Sequence, residues 1–165
     1  MTWRNWARKR KTSGKSSRIA APITGPEMEP YPQLAQSYEK SENGTMWTYH
    51  LVEDSYWHDG EQVTAHDVAF TFNMILEYPD ECALLGGYLK GFKYPVVALD
   101  DYTVQVSLEE PKATMLALTV PILPEHLWAD VVAADEIKTV DLWDEDFFPG
   151  GPVGSGPMEL VEYSK

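Results

Sequence analysis

A tight turn that passes straight into strict two-residue alternation leaves the region around Asn43 little freedom of fold. Ser41-Glu42-Asn43-Gly44 has the composition of a turn, and Asn-Gly suits the positive φ angles of a hairpin connection. Over residues 46–52 the alternation sets Trp47, Tyr49 and Leu51 on one face and Thr48 and His50 on the other. Residues 33–39 supply a partner strand before the turn. A two-stranded hairpin is not stable alone, so this aromatic face has to be covered by further elements.

The covering elements are legible downstream. Asp59-Gly60 marks a second turn, and Thr64 opens a helix with an acidic residue, Asp67, three positions on, the arrangement that satisfies free backbone N–H groups. Val68, Phe72, Ile75 and Leu76 then recur at helical spacing until Pro79, which predicts a helix over 64–78. Residues 95–99 and 103–108 predict a second strand pair about Asp100-Asp101, with Val104, Val106 and Leu108 on one side. Short helices are expected over 112–120, after Pro111, and over 124–133, with Pro124 at the start. Residues 143–152 read as a loop or linker, and 160–163 as the beginning of a strand. The expected fold class is α+β, antiparallel strand pairs packed with short helices.

Charge divides the chain. Seven of the 13 Lys/Arg lie within residues 1–18, which hold no acid, so the remaining six face all 26 Asp/Glu and the rest carries a net charge of −20. A body this acidic repels polyanions, and no nucleic-acid partner is expected for it. Dense carboxylates also suit a high-salt setting, where charges are screened within a few ångströms. Residues 1–25 read as a basic, flexible tail, 26–150 as a small α+β domain, and 151–165 as the start of an adjoining unit. Cys82 stands alone, so neither an internal disulfide nor a cysteine-based zinc site is expected. The sequence holds no run of apolar residues long enough to span a membrane, and no export signal is read at the basic N-terminus.

Several constellations invite a chemical role and lose it on inspection. Gly14-Lys15-Ser16 ends like a phosphate-binding loop, but the required earlier glycine is Lys9 and no hydrophobic strand precedes it. His50, His58 and His66 fall on a strand, a loop and a helix, so even spacing does not gather them around a metal. Asp59 is accounted for by a turn and Asp67 by a helix cap, which leaves Glu61 without a carboxylate partner for acid–base work. Gly154-Ser155-Gly156 is too short for a nucleophile elbow. No catalytic residue, metal ligand or cofactor is assigned, and the chain reads as a non-enzyme.

The motifs, taken in order, resemble the solute-binding proteins of ABC importers, in the class that captures oligopeptides, dipeptides and nickel chelates. Pro32-Gln33-Leu34-Ala35-Gln36-Ser37-Tyr38 looks like the family's opening, and Trp47-Thr48-Tyr49-His50-Leu51 is similar to its aromatic strand. Trp57-His58-Asp59-Gly60 followed by Thr64-Ala65-His66-Asp67-Val68 is close to its central signature. Asp100-Asp101-Tyr102-Thr103-Val104, Ile122-Leu123-Pro124-Glu125-His126 and Pro152-Val153-Gly154-Ser155-Gly156-Pro157 continue the match. The resemblance implies that 26–150 is the small extra domain of a two-lobed binding protein and that 151–165 re-enters a large lobe, with Gly154 and Gly156 at the junction or hinge. It further implies an oligopeptide or similar small solute, membrane subunits of an ABC transporter as partners, and an extracytoplasmic place of work. Tyr88, in the glycine-rich Leu85-Gly86-Gly87-Tyr88, is the one candidate substrate contact. On this resemblance the chain is expected to be a truncated form with impaired or no ligand binding. Two alternatives stay open: a stand-alone protein-interaction domain that has lost transport, and an intracellular protein that the basic tail directs to nucleic acid.

Overall fold

In a computed structural model, the structure describes residues 20–24, 30–32, 34–144 and 146–156. The basic run 1–18 and the strand expected over 160–163 lie outside the described residues.

The elements are β1 Ala20–Thr24, β2 Pro30–Pro32, β3 Ala35–Lys40, β4 Met46–Leu51, α1 Ala65–Glu77, α2 Ala83–Leu89, β5 Phe92–Asp100, β6 Thr103–Leu108 and α3 Glu125–Ala133, with a 3-10 turn at Ala113–Ala117 between β6 and α3. Strands β3 to β6 form one antiparallel sheet in the order β3-β4-β6-β5. The fold is α+β, as the sequence predicts. β1 and β2 pair separately, so part of the segment read as a tail is strand; backbone pairing carries it where the sequence shows no period.

The hairpin between β3 and β4 follows the expected course by a different turn. Only Gly44 takes positive φ (68°); Asn43 acts through its side chain, whose Oδ1 accepts from the Thr45 N–H and the Ser41 and Thr45 hydroxyls. Gly44 N–H donates to Ser41 O at 2.9 Å and Ser41 N–H to Met46 O at 3.0 Å, a turn closed by one left-handed residue. The aromatic face is buried as predicted. Trp47, Tyr49 and Leu51 join Val104, Val106 and Leu108 of β6 and Val68, Phe72 and Ile75 of α1 in a single core. Tyr49 buries its ring and donates its hydroxyl to Met115 O at 3.0 Å, and burial, with the neighbouring Tyr38, pushes its phenol pKa well up.

β5 begins at Phe92, three residues before the predicted start. Pro95 interrupts the ladder with β6, and pairing resumes at Val97 after a shift in register. Asn73 of α1 covers the interruption: its Nδ2 donates to Val96 O at 2.9 Å and its Oδ1 accepts the Val96 N–H at 2.8 Å. α2, like β1, is an element that sequence reading misses. Two adjacent glycines are poor helix formers, but Leu89 is buried, and Lys112 Nζ donates to Tyr88 O and Lys90 O at the helix C-terminus, where cations are favoured. The region expected as a helix over 112–120 is a 3-10 turn followed by extended chain that buries Leu118 and Val120.

The start of α1 joins three parts of the molecule. Asp67 is 4% exposed, and its Oδ2 accepts the Thr64 N–H at 2.8 Å, the Thr64 hydroxyl at 3.3 Å and Trp57 Nε1–H at 3.4 Å. Its Oδ1 accepts the Glu125 N–H, at the start of α3, at 2.8 Å. One turn on, Thr71 Oγ1 donates to Asp67 O at 2.7 Å and accepts the Leu123 N–H at 3.0 Å. Replacing Asp67 by Ala leaves several enclosed donors unpaired. Urea denaturation of Asp67→Ala is expected to show a loss of about 3–5 kcal/mol, against about 1–3 for Asp67→Asn, which keeps one acceptor oxygen.

Candidate functional site: the 57–60 loop and the 152–156 segment

The loop after β4 is closed on itself. Trp57 N–H donates to Glu61 O at 2.8 Å, Gly60 N–H to Trp57 O at 3.1 Å, and Asp59 Oδ1 accepts the Glu61 N–H at 3.1 Å. Trp57 is 2% exposed, and its indole anchors the loop on Asp67. Asp59 does more than shape the turn, because its Oδ2 lies 2.7 Å from His126 Nε2 and ties the loop to α3.

The segment 152–156 lies against this loop. His58 N–H donates to Gly154 O at 2.8 Å, Gly154 N–H donates to His58 Nδ1 at 3.3 Å, and His58 Nε2 stands 2.9 Å from Gly156 O. The approach before it, expected as a loop or linker, is packed down. Phe148 is 1% exposed and meets Trp128 of α3 edge-on with ring centres 5.4 Å apart. Gly151, at φ 94°, leaves room for the Trp143 ring, which a β-carbon there would meet at 2.6 Å.

Gly154 and Gly156 thus meet at one place, on His58. Tyr88 is elsewhere: it lies on α2, 44% exposed, with its carbonyl held by Lys112. The three evenly spaced histidines are dispersed. His50 lies 3.5 Å from Glu39 and His66 3.5 Å from Asp101, while His58 faces the two glycines. Among the described residues no cluster of His, Cys, Asp or Glu is arranged to hold a metal ion. Sequence reading assigned Asp67 to a helix cap and Asp59 to a local turn and missed their long-range partners, Glu125 and His126, because spacing along the chain carries no record of a contact some sixty positions away.

Two surface grooves run along α1, apart from the 57–60 loop and the 152–156 segment. One, of about 450 Å³, runs between α1 and β5 past His66, Phe70, Asn73 and Val97. The other, of about 470 Å³, runs between α1 and α2 past Leu76, Gly86, Gly87 and Phe92. Tyr88 lines neither of them.

The α+β fold, with the 152–156 segment docked on its loop, matches a known class of protein. The chain belongs to the bacterial extracellular solute-binding proteins, family 5 Middle, whose family model matches residues 29–165. It is 30% identical over 156 residues to the dipeptide-binding protein of Escherichia coli (strain K12), a match that takes in 83% of this chain and 28% of that protein. Among solved structures it resembles NikZ from Campylobacter jejuni in complex with Ni(L-His), at TM-score 0.73 and 26% identity over 91% of this chain and 28% of that one. It also resembles the oligopeptide-binding protein AppA from Bacillus subtilis in complex with a nonapeptide, at TM-score 0.71 and 27% identity over 92% and 29%. The chain therefore spans under a third of the length of these relatives.

Cys82 caps α2, half-buried. Burial, with the Glu81 carboxylate beside it, pushes its thiol pKa up, so less of it is thiolate at any given pH than of an ordinary free cysteine. Alkylation of the native chain by iodoacetamide at pH 8 is expected to be several-fold slower than that of the chain unfolded in urea. Equal rates would contradict the assigned environment.

Proposed function

We propose that this chain is part of the solute-capturing component of an ABC importer that takes oligopeptides or similar small solutes outside the cytoplasmic membrane. Residues 26–150 are its small domain and 151–165 the start of an adjoining lobe, with Gly154 and Gly156 at the junction. Capture proceeds by enclosure between lobes, without covalent chemistry, and the membrane subunits of the transporter are the downstream partners.

The observation that supports this reading is the 152–156 segment, which follows the small core in sequence and is docked on its 57–60 loop. The two grooves are surface depressions between α1 and its neighbours and do not enclose a peptide, as a solute-binding cleft should. The small domain supports the ligand lobes, and Tyr88, on the exposed side of α2, is the residue proposed to reach toward a bound solute.

A second reading, a stand-alone interaction domain, draws on one observation. β5 is an edge strand that exposes Tyr94, Val97 and Leu99, a surface on which another chain could add. Calorimetry with a panel of di- to nonapeptides separates the two. The 165-residue chain alone is expected to give no saturable heat, and the same residues within a full two-lobed polypeptide are expected to bind. Tight binding by the 165 residues alone would overturn the division of labour, and absence of binding in the two-lobed context would overturn solute capture. Concentration-dependent association of the chain, abolished by Val97→Lys, would favour the second reading.

A further inference from the structure

We propose that His58 is a positioning residue, a two-point clasp that fixes the path on which the chain leaves the small domain. The proposal rests on reading 151–165 as the start of an adjoining lobe. In such a protein, the exit path helps set how the small domain is carried by the lobe it joins.

The ring geometry selects one chemical state. A carbonyl oxygen can only accept, so Nε2, 2.9 Å from Gly156 O, carries the proton. The Gly154 N–H pointing at Nδ1 from 3.3 Å requires a lone pair there. Both contacts call for the same neutral tautomer, and the His58 N–H to Gly154 O bond fixes the register between them. A side chain that merely filled space would meet neither condition.

The surroundings press the two parts together. A β-carbon at Gly154 would lie 3.3 Å from His58 Cε1, tighter than ordinary contact, so glycine is what lets the ring close on the backbone. Ser155, between the two glycines, is 1% exposed, so the segment is pressed into the body at this point. From below, Trp57 on Asp67 holds the loop that carries His58.

The test uses the 15N-labelled 165-residue chain near neutral pH. Ring-nitrogen spectra are expected to show His58 protonated at Nε2 and bare at Nδ1. Amide exchange at Gly154 is expected to quicken about tenfold in His58→Ala, by loss of one hydrogen bond in a segment that opens locally. His58→Asn, whose side-chain oxygen falls near the Nδ1 position, is expected to keep most of the Gly154 protection, and the Val104 and Val106 amides should not change in either variant. A proton on Nδ1, Gly154 exchange indifferent to His58→Ala, or equal loss in His58→Asn and His58→Ala would each overturn the clasp. If His58→Ala does not fold, the tautomer of the unaltered chain decides alone. Neither readout involves a peptide ligand, so failure of solute capture and failure of the clasp are distinguishable.

Discussion

The fold depends on one enclosed carboxylate. Asp67 sits in the first turn of α1, where the helix dipole favours negative charge, and gathers donors from the loop before the helix, from the helix cap and from the start of α3. A lone ionised carboxylate in such a place would be costly to enclose. Four converging donors offset that cost and give directionality to packing that the apolar stripe of α1 leaves non-directional.

From that anchor the rest follows in steps. Trp57, held by Asp67, sets the 57–60 loop; the loop presents His58 and Asp59; Asp59 reaches His126 on α3 while His58 receives 152–156. The same helix offers Asn73 on its outward side to mend β5 where Pro95 breaks the ladder. A helix start, a loop and an exit segment are thereby joined by directional bonds, and the apolar core fills the space between them.

Much of this was legible because it is local. Alternation from Trp47 to Leu51, the Thr64–Asp67 spacing and the stripe through Phe72 each encode an element within one or two turns of chain, and each is found in place. The failures share a cause. α2 has glycines where a helix wants side chains, and it stands because Leu89 is buried and Lys112 covers its carbonyls, neither of which its own seven residues reveal. Asn43 adopts no left-handed angle because its side chain already organises the turn. At the candidate site, motif order pointed to Gly154 and Gly156, but nothing in spacing pairs them with a histidine 96 and 98 positions earlier. The partner became visible only once the loop and the exit segment lay side by side.

Asp67 couples the 57–60 loop, α1 and the start of α3, and native-state hydrogen exchange reads directly whether that joint opens with the sheet as one cooperative unit. The Thr64 and Glu125 amides, both donated to the Asp67 carboxylate, are predicted to exchange only through global unfolding, with the same free energy and the same urea dependence as the amides of Val104 and Val106 in the central strand β6. Exchange of Thr64 or Glu125 by a low-energy local opening, while β6 stays protected, would contradict it.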